Sequence, residues 1–174
     1  MLLRKLFISL FVSMTLLIST AHADTSTAVV PPARDLSQDA LQADKKRLPI
    51  LIMFSAEYCE FCKLVVSDFL QPMIYSGDYK DKVIIRIVKI DDADELIDFN
   101  GKKLSFDDFA LQQKVWLTPT LKLYDADGNE LVPEIVGINT VDFFGGYLDD
   151  AINKSLRKIR QRDPFDGMQE LAKK

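Results

Sequence analysis

The chain has 174 residues and is 48% hydrophobic, 28% charged and 10% aromatic. That is room for one ordinary domain, and it excludes a disordered or collagen-like chain. A formal charge of −4 argues against a nucleic-acid partner, which wants a basic face, and two cysteines exclude a multi-bridge disulfide scaffold.

Residues 1–23 read as an export signal. Arg4 and Lys5 make a basic start, Leu6 to Thr20 is uncharged and mostly apolar, and Ala21-His22-Ala23 is a small-x-small cleavage site. The apolar run is shorter than the roughly 18–20 residues of a spanning helix, so cleavage is expected and no stable membrane anchor after it. Cleavage removes His22, the single histidine. The mature chain then has no imidazole for a protease triad. Export, in a chain with these features, points to the periplasm, a compartment where disulfides persist.

Asp24 to Pro32 is small and polar with a Pro-Pro end, and residues 24–34 are expected to be a flexible lead. A single domain is expected over 35–162, with a loose tail over 163–174. Asp35 to Lys46 has helical spacing and stops before Pro49. Pro49 to Phe54 is a continuous apolar run, the mark of a strand covered on both faces. A helix is expected from Cys59, with Leu64, Val65 and Phe69 on its apolar side, bent or ended by Pro72. Tyr75 to Lys82 reads as loop. Val83 to Ile90 is β-branched and reads as a strand.

Ile97 to Lys102 predicts a tight hairpin, with Asn100-Gly101 suited to a type I′ turn. Ser105, followed by Asp108, is a helix-start signal of the capping-box kind, and that helix should run to about Lys114. Thr120–Tyr124 and Glu130–Val136 flank Asp125-Ala126-Asp127-Gly128 as a second hairpin. A long amphipathic helix should begin at Thr140. Gly145 and Gly146 weaken it, which predicts close packing or a kink there. The order of elements requires a parallel pair early in the chain and an antiparallel hairpin late.

Cys59-Glu60-Phe61-Cys62 follows the apolar strand and opens a helix. At a helix N-terminus Cys59 meets free N–H groups and the favourable end of the dipole, which stabilise a thiolate. A thiolate attacks disulfides, and Cys62, one turn on, is placed to resolve the mixed disulfide that forms. A zinc site lacks further ligands, and covalent haem would need histidine where Lys63 stands. An inert structural disulfide closes a very short loop and gains little from it.

The segment Ile50 to Lys63, with its strand–Cys-x-x-Cys–helix order, resembles the active-site segment of the thioredoxin superfamily. Thr118-Pro119-Thr120 is similar to that family's second landmark, and Gly137 fits its place after the last strand. The resemblance covers about residues 35–160 and looks most similar to exported thioredoxins of the SoxW type. It implies an α/β fold of thioredoxin type, a central mixed sheet with helices on both faces. It implies a cis Pro119 facing the cysteines, with Thr118 turned to offer backbone hydrogen bonds to an extended substrate. Tyr58, Glu60, Phe61, Thr118 and Pro119 are the expected substrate contacts, and Cys59 and Cys62 the catalytic pair. Tyr58 stands where the family usually has Trp. Met53 stands where it has a buried Asp that assists proton transfer. Lys89 matches a buried family lysine, with Glu57 as a candidate partner.

A carboxylate at Glu60 disfavours the Cys59 thiolate, which suits a reductant. The expectation is therefore a monomeric periplasmic reductase of protein disulfides, fed by a membrane thiol donor, with no cofactor. An oxidase or isomerase on the same fold is an alternative, and a binding module with a permanent disulfide is another.

Overall fold

The computed structural model describes residues 29–162. The expected signal segment 1–23 and tail 163–174 lie outside them, as do the first residues of the expected lead. Among the described residues no helix is long and apolar enough to cross a membrane.

Helix α1 (Leu36–Lys46) begins where Asp35 accepts a hydrogen bond from the Gln38 amide at 3.0 Å, and ends at Arg47 in the left-handed region. Strand β1 (Ile50–Ser55) is buried at every position. A helical run follows in three parts: α2 (Glu60–Val65), a π-helical turn over Val66–Leu70, and α3 (Gln71–Ser76). Pro72 therefore neither ends nor breaks the helix, and Tyr75 is helical rather than loop. The widened turn before it, with the Gln71 amide reaching back to the Val66 carbonyl, accommodates a residue that has no amide of its own to donate.

Strand β2 (Ile84–Lys89) comes next, then the short pair β3 (Glu95–Ile97) and β4 (Lys103–Ser105). This hairpin exists but does not use the expected type I′ turn. The buried carboxylate of Asp98 accepts from the amides of Asn100 and Lys102 at 2.9 and 2.8 Å. Only Gly101, at φ +80°, is left-handed, so the side chain of Asp98 organises a longer loop. Helix α4 (Phe106–Gln112) is capped by Ser105, whose hydroxyl accepts from Asp108. Strands β5 (Thr120–Tyr124) and β6 (Ile135–Val136) form the late hairpin, and α5 (Val141–Gln161) closes the domain.

The sheet runs β2-β1-β5-β6, with β1 parallel to β2 and antiparallel to β5. Alternation along β1 sends Ile50, Ile52 and Phe54 to one face, with Leu36 and Ala43 of α1 and Phe106 and Phe109 of α4. It sends Leu51 and Met53 to the other, with Val65 and Leu70 of the helical run and Leu148 and Ile152 of α5. Helices thus cover both faces, which is why β1 reads as unbroken apolar sequence. The close packing expected at the glycines is real at Gly145, where an added Cβ would lie 3.2 Å from the Phe69 ring. At Gly146 there is open space.

From residue 30 on, the expected flexible lead is instead part of the fold. The Pro31 carbonyl accepts from Ile87 at 3.0 Å and the Ala33 amide donates to Ile87 at 2.9 Å. Val30 and Ala33 are buried. The outer edge of β2 would otherwise leave these polar groups unpaired, and pairing them outweighs the local preference of a Pro-rich stretch for open coil.

Candidate functional site

Packing of β1 between the parallel β2 and the antiparallel β5 brings its C-terminal end out at one edge of the sheet, and Cys59 lies just beyond it. Cys59 is the N-cap of α2, with extended backbone at φ −103° and ψ 98°. Its sulfur is bonded to that of Cys62, with Cα atoms 5.1 Å apart. The Cys62 amide donates to the Cys59 sulfur at 3.1 Å, and the amides of Cys62 and Lys63 both reach the Cys59 carbonyl. The two sulfurs are not equivalent. Cys59 is partly exposed, whereas Cys62 is only 2% exposed and packs with Met53 and Val65.

The two flanking aromatics face solvent, Tyr58 at 94% and Phe61 at 57% exposure. Glu60 does not act as a free carboxylate. Its oxygen lies 2.6 Å from the Lys63 ammonium, and both are exposed. The hydrogen bond and charge of Glu60, then the charge of Glu57, hold the Lys63 amine above its ordinary range. Lys63 thereby offsets the effect of Glu60 on the Cys59 thiolate that the sequence alone suggests. Lys89 is exposed rather than buried, and its expected partner is the right one: its ammonium is 3.1 Å from Glu57. Asp91 holds the same short loop by accepting from the Glu57 amide at 2.9 Å. Met53 is fully buried, so the position of the family's proton-transfer Asp carries no titratable group.

The Thr118–Pro119 peptide bond is cis. The pairing of Phe54 with Thr120 sets Pro119 beside the end of β1, and the pairing of Thr120 with Val136 sets it beside β6. The Gly137 amide donates to the Pro119 carbonyl at 2.8 Å. Among the described residues, the amide and carbonyl of Thr118 take part in none of the loop's backbone hydrogen bonds. Thr118 is half-buried and Pro119 buried. The sheet therefore brings together the cysteine segment and the proline loop, which lie far apart in sequence.

Two features of this region are not in the sequence reading. Trp116 and Leu117, just before the loop, are 70% and 66% exposed and add to the apolar surface. Lys122, in the middle of β5, is only 4% exposed and ion-paired to Glu130 at 2.6 Å and Glu134 at 3.1 Å. A lone lysine in Thr-Leu-Lys-Leu-Tyr, with glutamates in the segment leading to β6, was the available signal. Among the described residues no group of His, Cys, Asp and Glu is arranged to hold a metal.

The Lys122 cluster makes the domain sensitive to alkali. Burial pushes the Tyr124 phenol far above its ordinary 10.0, with Glu130 and Glu134 adding to the effect. Burial acts on Lys122 in the opposite sense, but the hydrogen bonds its ammonium donates to Glu130 and Glu134, with their charges, outweigh it and raise its amine above 10.5. Both groups hold their proton more tightly folded than unfolded. Their stabilisation is therefore complete below about pH 10 and is lost as pH rises through the folded values. Urea unfolding between about pH 8 and 11 should show stability falling from about pH 10 upward, and less steeply in Tyr124→Phe. A flat profile in the parent chain would contradict the burial of these groups.

The model of a thioredoxin-like domain matches residues 36–152. No curated protein matches the chain. Among solved structures, thioredoxin O2 from Arabidopsis thaliana in the oxidized state is 22% identical, covering 69% of this chain and 91% of that one, with a TM-score of 0.48. Mitochondrial thioredoxin 3 from Saccharomyces cerevisiae, in its oxidized form, is 21% identical over 71% of this chain and 93% of that one, with a TM-score of 0.48. A thioredoxin-fold protein from Helicobacter pylori is 23% identical over 64% and 81%, with a TM-score of 0.44.

Proposed function

The chain belongs to the thioredoxin-like domain family, and from that premise we propose that it is a thiol–disulfide oxidoreductase working as a reductase of protein disulfides. The observation that carries this reading is the inequality of the two sulfurs: Cys59 partly exposed at a helix start, Cys62 buried one turn below it. The exposed sulfur meets substrate, and the buried one can reach only its neighbour. Exposed Tyr58, Phe61, Trp116 and Leu117 offer apolar contact to an unfolded or extended polypeptide. The unengaged backbone of Thr118 offers it hydrogen bonds, as an added strand would receive.

The direction is argued from the residues between the sulfurs. Glu60 is paired with Lys63, and Phe61 is uncharged, so neither is a cation that would stabilise the Cys59 thiolate strongly. A less stabilised dithiol gives its electrons away more readily. The reading continues that the protein is exported to the periplasm as a monomer of the SoxW-like type. There it would be re-reduced by a membrane thiol donor, since residues 1–23 have the pattern of a cleaved signal. The reduction potential of the Cys59–Cys62 pair, measured against glutathione and dithiothreitol buffers, should lie near about −270 mV. A value above about −170 mV would replace the reductase with an oxidase or isomerase.

A further inference from the structure

The segment that carries Thr118 is poorly anchored by apolar contact. Between Gln113 and Leu117 only Val115 is buried in the core, while Trp116 and Leu117 face solvent. Backbone bonds tie Lys114 and Val115 to the end of α4 and Pro119 to Gly137, and the side-chain bonds that hold the segment come from one face of one strand. Thr120, Lys122 and Tyr124 alternate along β5 and so point the same way. The Thr120 hydroxyl donates to the Leu117 carbonyl at 2.8 Å. The Lys122 ammonium donates to the Gln113 carbonyl at 2.7 Å. The Tyr124 hydroxyl donates to the Gln113 side-chain oxygen at 2.9 Å.

Lys122 is the centre of this arrangement. Gln113 is the C-cap of α4, so the ammonium sits at the end of a helix where unpaired carbonyls and the dipole favour a cation. The same ammonium holds Glu130 and Glu134, which lie between β5 and β6. Beyond Glu134, β6 leads to Gly137, whose amide holds the Pro119 carbonyl. One buried charge thus links the segment entering the proline loop to the strand that braces it from the other side.

We propose that Lys122 is a positioning residue for substrate: it holds the 113–119 segment so that the Thr118 backbone meets an extended polypeptide beside Cys59. This rests on the reading of Cys59 as the attacking sulfur. Lys122 does not touch the reacting atoms, and a small disulfide that needs no backbone contact should not require it.

The test compares two disulfides. Lys122→Met keeps an unbranched apolar stem one atom shorter than lysine and frees Glu130 and Glu134, each more than a third exposed, to rehydrate, so the variant should fold. With insulin as substrate and dithiothreitol as donor, its KM should rise about fivefold with kcat nearly unchanged. With cystamine its rate should equal that of the parent. Tyr124→Phe removes a second tether with little change of shape and should move the insulin KM in the same direction, by less. Trp116 is the only tryptophan in the chain and lies on the tethered segment, so its fluorescence anisotropy reports the tether without reference to activity. It should decay with a larger fast component in Lys122→Met. An unchanged anisotropy decay, an unchanged insulin KM, or an equal loss on both substrates would overturn the proposal. A parent protein inert toward both disulfides would instead sink the functional reading, and the proposal with it, before any substitution is made.

Discussion

Cys59→Ser should lower the reduction of insulin disulfides by more than about a thousandfold, because it removes the more exposed of the two cysteine sulfurs, the one proposed to attack substrate. In the proposed cycle the Cys59 thiolate attacks one substrate sulfur, forms a mixed disulfide and expels the other substrate sulfur as a thiolate. The Cys62 thiolate then attacks the Cys59 sulfur. The Cys59–Cys62 bond forms, the second substrate thiolate leaves, and two electrons have passed to the substrate. A serine hydroxyl at position 59 is not ionised near neutral pH and cannot begin this sequence. Cys62→Ser should fail differently. Its Cys59 is still exposed and still hydrogen-bonded by the amide of residue 62, so the first attack proceeds and the mixed disulfide has no resolving thiol. Adducts of substrate with the variant should accumulate on non-reducing gels and in mass spectra. If Cys59→Ser kept a tenth of the parent activity, or if Cys62→Ser trapped nothing while Cys59→Ser did, the roles of the two sulfurs would be reversed or absent.

Phe54→Ala should cost about 3–5 kcal/mol of stability, a large loss for a single truncation. Phe54 is fully buried near the end of β1 and stacks on Phe109 of α4, with ring centroids 6.0 Å apart and planes 18° apart. Truncation removes the transfer energy of the ring and leaves a cavity between a strand and a helix that cannot easily collapse. The position also matters for the site. Phe54 is the register partner of Thr120, so the cavity would open beneath the junction of the cysteine segment and the proline loop. Urea unfolding should show the midpoint falling with little change in slope. Phe54→Leu fills part of the volume and should cost less than half as much. A loss below about 1.5 kcal/mol for the alanine variant would mean that the ring is not held as described.

Much of the site was legible because its signals are local. The apolar run of β1, the N-cap position of Cys59 and the one-turn spacing to Cys62 follow from side-chain chemistry within a dozen residues. The Thr118–Pro119 bond is cis as the family resemblance implied, but nothing in Thr-Pro itself favours that isomer. Ser105 was legible as a helix start because its cap bonds an amide only three residues away. The Asn100-Gly101 turn was misread because Asp98 competes for the same amides with a side chain that burial has placed there. The effect of Glu60 was overestimated because a carboxylate was counted without the ammonium that Lys63 folds back onto it.

The sequence by itself determined the alternation of strand and helix, the cysteine pair at a helix start and the apolar faces that must be covered. Those depend on periodicity and capping, which act over one or two turns. Only the tertiary structure decided that residues 30–33 join the edge of β2, and that Cys62 is sealed while Cys59 is not. It also decided that the Lys122 ammonium meets the Gln113 carbonyl together with Glu130 and Glu134. Each of these joins groups distant along the chain. A free edge amide or a buried ammonium has no preferred partner until the sheet has formed and water has been excluded, and the partner is then whichever group the packing has left beside it.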